Sequence, residues 1–204
     1  VVRGRRGVAM RMVLSRSLWI EGRVDEAWAV AEAGLALAES ENPYALAQVL
    51  GSSLCPLALW RGDLDAARQH VRRLADHARR HSSPYCQSWA RHYGVPLARI
   101  DDPGAPVPEV KPGSLKELDS LATVSDLFAT DEAFARNHRG EAGWGAAGVF
   151  RRVAERHLAE GDPAAARALF DRSLAVARAQ GALSWEVRTA TSLARLDRTP
   201  DRLA

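Results

Sequence analysis

The apolar positions of this chain recur every three or four residues, the period of α-helices with one or two faces to bury. Along GALSWEVRTATSLARL, Gly181 to Leu196, the residues Leu183, Val187, Ala190 and Ala194 form one apolar stripe. Trp185, Leu193 and Leu196 form a second on roughly the opposite side, and Arg188, Thr191 and Arg195 share the flank between them. No run shows the period-two alternation of Val, Ile and Thr that marks a strand. The pattern predicts an all-α chain whose last helix has two faces to cover.

One grammar occurs three times: a helix, a Gly with a short polar turn, then an Ala-rich helix. The copies are GRVDEAWAVAEAGLALA from Gly22, GDLDAARQHVRRLADHA from Gly62 and GDPAAARALFDRSLAVA from Gly161. With the glycines in register, Ala27, Ala67 and Ala166 align five positions on, and Ala31, Val71 and Phe170 nine positions on. Gly accepts the left-handed backbone that closes a helix. Asp63 and Asp162 then serve as N-caps, and Pro163 suits a first helical turn. A small residue five after the Gly lets the two helices approach closely, and the larger one fills the interface. Each pair leaves apolar surface for its neighbour.

That spacing resembles tetratricopeptide (TPR) repeats. The resemblance implies antiparallel helix hairpins stacked into a short right-handed superhelix, an α-solenoid. In its register Leu14, Leu54 and Val153 take a large apolar position on the first helices, and Ser15, Cys55 and Ala154 the adjacent small one. Gly22 and Gly62 lie 40 residues apart, longer than the usual ~34, so the helices are expected to be long.

The middle of the chain departs from the repeat. Pro84 to Ile100 reads as another first helix, and four prolines between Pro103 and Pro112 then end it. Ser114 and Glu117 have capping-box spacing and open a helix to about Leu127. Thr130 caps a short helix that Gly140 ends, and a long one runs from Ala142 to Glu160. The expected organisation is TPR-like pairs over 1–100, a Pro-rich loop over 101–113, and a helical region over 114–204 with one further pair and a truncated last repeat.

Composition narrows the function classes. The 47% hydrophobic content is too high for disorder, and no apolar run reaches the ~18 residues of a membrane span. Cys55 and Cys86 have no metal-ligand or redox spacing, which points to reduced thiols in a cytoplasmic protein. The net charge of +3 and the Arg pairs Arg72-Arg73 and Arg79-Arg80 allow a second reading, a basic helical nucleic-acid-binding protein. A denser basic stripe with interleaved aromatics would be needed to prefer it.

Candidate chemistry is sparse. Phosphate-loop, nucleophile-elbow, zinc-protease and EF-hand patterns are absent. His70, His77 and His81 share one helical side, and His77 and His81 have metal-compatible spacing. With no third ligand evident they read as surface histidines. The expectation is a non-catalytic protein without cofactor or metal. In the TPR register Arg16, Trp19, Trp60, Arg151 and Glu155 face the concave side, a groove suited to a protein or peptide partner. The alternative for the tryptophans is packing between repeats.

Arg156 to Leu196, RHLAEGDPAAARALFDRSLAVARAQGALSWEVRTATSLARL, is more specific. It resembles the C-terminal helical-repeat region of large bacterial signal-transduction ATPases. Those include regulators with an N-terminal winged-helix DNA-binding domain and relatives with an N-terminal nucleotide cyclase domain. LSRSLWIEGRVDEAWAVAEAGLALA, LALWRGDLDAARQHVRRLADHARRH and EAGWGAAGVFRRVAERHL resemble it more loosely. The resemblance implies a sensor or interaction module of a signal-transduction or transcription regulator, with a protein or peptide partner that includes the effector or ATPase domains of the same regulator. Those domains are not in this sequence, so no DNA-binding or nucleotide role is assigned to its residues. The chain starts on Val rather than Met and reads as a detached or truncated repeat region. An exposed Trp185/Leu196 face, prone to self-association, is therefore expected.

Overall fold

The computed structural model describes residues 2–107, 114–141 and 143–198, with side chains from Gly7 onward except that of Lys116. The described residues are helical and contain no strand. Helices α1 (Val2–Ile20), α2 (Val24–Glu39) and α3 (Pro43–Val49) come first. A π-helical turn, Leu50–Leu54, joins α3 to α4 (Cys55–Arg61) without a break. Then follow α5 (Leu64–Arg80), α6 (Pro84–Asp101), α7 (Leu115–Val124), α8 (Asp131–His138), α9 (Ala146–Ala159), α10 (Pro163–Ala179) and α11 (Leu183–Asp197).

The turn chemistry accounts for the boundaries. Gly22, Gly62 and Gly161 adopt φ of 89°, 76° and 84°, the left-handed region. The Asp63 carboxylate accepts from the Ala66 N–H at 3.0 Å, and that of Asp162 from the Ala165 N–H at 2.9 Å. Ala27, Ala67 and Ala166 are fully buried, and Ala31, Val71 and Phe170 lie in the core beside them. The repeat grammar of the sequence is thus a packing grammar.

Several expectations are corrected. The helix from Ser114 ends at Val124, because Ser125 turns extended and its hydroxyl accepts from Leu127 in a 3₁₀ turn. The long helix begins at Ala146, preceded by a 3₁₀ turn over Gly143–Gly145. Leu14 is 48% exposed, unlike Leu54 and Val153, because no described element covers the α1 face it shares with Met10 and Val13. Of the Pro-rich loop, residues 108–113 lie outside the described residues.

The chain divides into two compact units, residues 1–19 with 23–117, and 20–22 with 118–204. In the first, the π turn carries the packing. Trp89 lies on the bare Cα of Gly51, and the Tyr93 hydroxyl donates to the Gly51 carbonyl at 2.7 Å. Ser15 Oγ, fully buried, meets Ser53 Oγ at 3.3 Å and ties α1 to the same turn. Glu117 keeps its place after the Ser114 cap, whose hydroxyl accepts from its N–H at 3.2 Å. Its side chain reaches α6. It is fully buried and bonds His92 Nδ1, with Ser88 Oγ donating to the same oxygen at 3.2 Å.

In the second unit, Phe134 and Leu169 pack on a core of Leu118, Ala122, Ala129, Ala133, Val149 and Val153. A neighbouring cluster joins Ala154, Ala166 and Phe170 to Leu193 and Leu196. Trp185 is fully buried, its ring against Gly148 and its Nε1 donating to the Trp144 carbonyl at 3.2 Å. This overturns the exposed Trp185/Leu196 face. The side of α11 that remains exposed carries Leu183 and Val187. Between the helices the Ser173 hydroxyl donates to the Ala147 carbonyl at 2.7 Å and meets Thr189 Oγ1 at 2.8 Å, which links α9, α10 and α11.

Candidate functional site

The five groove residues fall in different units, Arg16, Trp19 and Trp60 in the first and Arg151 and Glu155 in the second. Trp19 and Trp60, near the ends of α1 and α4, have ring centroids 4.6 Å apart at a tilt of 35°. Both are buried, at 2% and 3% exposure, so the rings act in packing. Arg16, one turn before Trp19, is half-buried. Burial pushes its guanidinium down, partly opposed by Tyr93.

The second unit holds the denser chemistry. Arg151 and Glu155 are one turn apart on α9, and Arg151 Nη1 donates to Glu155 Oε1. Glu155 Oε2 accepts from Arg152 Nη1 at 2.9 Å, and Ser192 Oγ reaches Oε1 at 3.3 Å from α11. Arg152 also donates to the carbonyls of Thr123 and Val124, so its fork closes the end of α7. Arg151 is 4% exposed. Burial, reinforced by Arg152, pushes its guanidinium down to about 9, with Glu155 opposing and Arg188 and Arg195 adding to the depression. Burial and Arg152 likewise push Arg188 down to about 10, against Glu155. Both stay cationic at neutral pH. Three arginines (151, 152 and 188) therefore act on the carboxylate of Glu155, and Arg195 acts on Arg151.

Arg152, Arg188, Ser192 and Arg195 were not among the groove residues expected from the sequence. The available signal was the spacing of Arg188, Ser192 and Arg195 at i, i+4 and i+7 on the α11 flank. What the sequence lacked was the pairing of that flank with the Arg151/Glu155 turn of α9.

Of the three histidines expected at the surface, His81, which follows α5, is exposed, whereas the two on α5 are not. His70 and His77 are buried, His70 beside the Trp28 ring at 5.6 Å and His77 Nε2 bonded to the Pro43 carbonyl at 2.7 Å. The His81 ring lies tilted against that of His77, with centroids 4.4 Å apart. Among the described residues no group of three His, Cys, Asp or Glu side chains is placed to hold a metal ion. Cys55 and Cys86 are both free and buried, and burial pushes the Cys55 thiol up. On α5, Arg68, Arg73 and Arg79 pair with Asp101, Glu39 and Asp76, which neutralises much of the basic stripe. No described helix is long and apolar enough to cross a membrane.

Neither a family model, a curated protein nor a solved structure matches this chain.

Proposed function

We propose that this chain is a non-catalytic, TPR-like interaction or sensor module of a bacterial signal-transduction or transcription regulator, cytoplasmic, with a protein or peptide partner. One observation carries the reading. A left-handed Gly followed by an Ala-rich helix with a fully buried Ala at the fifth position recurs at Gly22, Gly62 and Gly161. Repeated hairpins of this kind present extended faces to partners rather than a single catalytic cleft. The regulator context rests on the resemblance of Arg156 to Leu196. In this reading the hairpins are TPR-like and stack as an α-solenoid, and Arg16 in the first unit and Arg151 and Glu155 in the second are the residues offered to a partner.

The test is affinity capture from a bacterial extract, followed by titration of any retained protein against the purified chain. A partner should bind saturably, lose at least about tenfold in affinity with Arg16→Glu or Glu155→Lys, and tolerate Arg72→Glu on the exposed side of α5. No saturable partner, or equal binding by all three variants, would refute the proposal.

A further inference from the structure

Arg151 carries a donor pair that its own chain leaves unused. Its Nη1 serves Glu155, while Nε and Nη2 are buried and without a hydrogen-bond partner. Those two nitrogens form one edge of the guanidinium, and their parallel N–H bonds match the two oxygens of a carboxylate or phosphate. A buried charged donor left unsatisfied is among the costlier features a fold can contain. An apolar side chain would fill the space at less cost.

The surroundings point the same way. Arg152, Arg188 and Arg195 all act on Arg151 with like charge, and Glu155 is the acid that opposes them. Arg152 is committed to Glu155 and to the carbonyls of α7. Exposure then rises in order from Arg151, buried, through Arg188, half-buried, to Arg195, exposed. Three further guanidinium groups therefore add positive potential at Arg151.

We infer that Arg151, with Arg188 and Arg195, forms an oxyanion-binding site that takes a carboxylate or phosphate side-on against Nε and Nη2 of Arg151. The two atoms are shielded, so binding entails side-chain rotation above them, a common event at recognition surfaces. The inference rests on the proposed partner-binding role only for the carrier, the carboxylate of an acidic peptide, and not for the oxyanion chemistry.

The experiment uses the full chain and two probes, inorganic phosphate and a hexaglutamate peptide, with hexaglutamine as control. The Arg151 Nε–H resonance, assigned by its loss in Arg151→Lys, should shift saturably with hexaglutamate and phosphate and stay fixed with hexaglutamine. By calorimetry Arg151→Lys, which keeps the charge but loses the fork, should bind at least about tenfold more weakly. Arg195→Gln, at the exposed end, should weaken binding about two- to threefold through charge alone. A response to phosphate alone supports the site and counts against the peptide carrier. No saturable shift of the Arg151 resonance with either probe overturns the inference, as does undiminished affinity in a folded Arg151→Lys.

Discussion

His92 Nδ1 and Glu117 Oε1 share a hydrogen bond inside the first unit, with both side chains essentially without solvent contact. The pair ties α6 to the start of α7, and Ser88 supplies a further donor to the carboxylate. Removing one member strands the other in a water-free site. Glu117→Ala is expected to destabilise the chain by about 3 kcal/mol, whereas replacing both by apolar residues, as in His92→Phe/Glu117→Leu, should cost less than either single change. Urea denaturation of the two singles and the double decides it. A double variant weaker than both singles would contradict the argument.

Two glycines without left-handed backbone test the packing from opposite directions. A Cβ on Gly148 would meet the buried Trp185 ring at 2.9–3.1 Å, whereas one on Gly94, within α6, meets nothing within 4 Å. Gly148→Ala should destabilise by about 1–3 kcal/mol and alter the near-ultraviolet dichroism of tryptophan. Gly94→Ala should stabilise by about 0.5–1 kcal/mol through helix propensity. Thermal unfolding with opposite signs for the two is the expected outcome.

The caps at Asp63 and Asp162 occupy equivalent positions after left-handed glycines. Asp63→Ala and Asp162→Ala should each cost about 1 kcal/mol. Amide exchange should quicken in the first turn of α5 or of α10 respectively, not in both. Loss of protection spread over the whole chain from either change would show that the caps are not local.

Acid should weaken the first unit. His70 and His77 are held below the usual imidazole value, mainly by burial, with Arg73 adding to both. His81 and Arg80 push His77 further down, the Pro43 carbonyl pulls it up, and Glu32 and Asp63 do so for His70. The unfolded chain therefore binds protons first. The contribution is fully present above the unfolded value of about 6.5 and is lost as pH falls from there through the folded values. Urea midpoints should drop between pH 7.5 and 5, and the drop should shrink in His70→Phe. An unchanged slope in that variant would assign the effect to other groups.

Much of the local structure was legible in the sequence. The turn glycines, the Asp caps and the buried Ala positions follow from spacing, because each depends on backbone conformation or steric room within one hairpin. The misread features depend on what another helix brings. Glu117 sits at the capping-box position, but its spacing does not show that α6 places His92 beside it. Trp185 looks exposed until Gly148 and the Trp144 carbonyl receive its ring and its N–H. The arginine cluster was half visible, as a flank on α11 and a turn on α9. Only tertiary packing makes those one site.

The buried hydroxyl contacts carry a further consequence. Hairpins built on one grammar, with Ala at matching positions, are nearly interchangeable as surfaces, and a helix of one could dock on the partner of another. Ser173 and Thr189 find their partners only when α9, α10 and α11 meet in one register. Ser15 and Ser53 impose the same condition on α1 and the π turn. A mispaired hairpin would take from Ser173 and Thr189 the partners they find here, at a cost of about 1–3 kcal/mol for each buried hydroxyl left unsatisfied, whereas Ser15 would keep its bond to the Met12 carbonyl within α1. The hydroxyls thus act as address labels: they add little to the strength of the correct assembly and tax every wrong one.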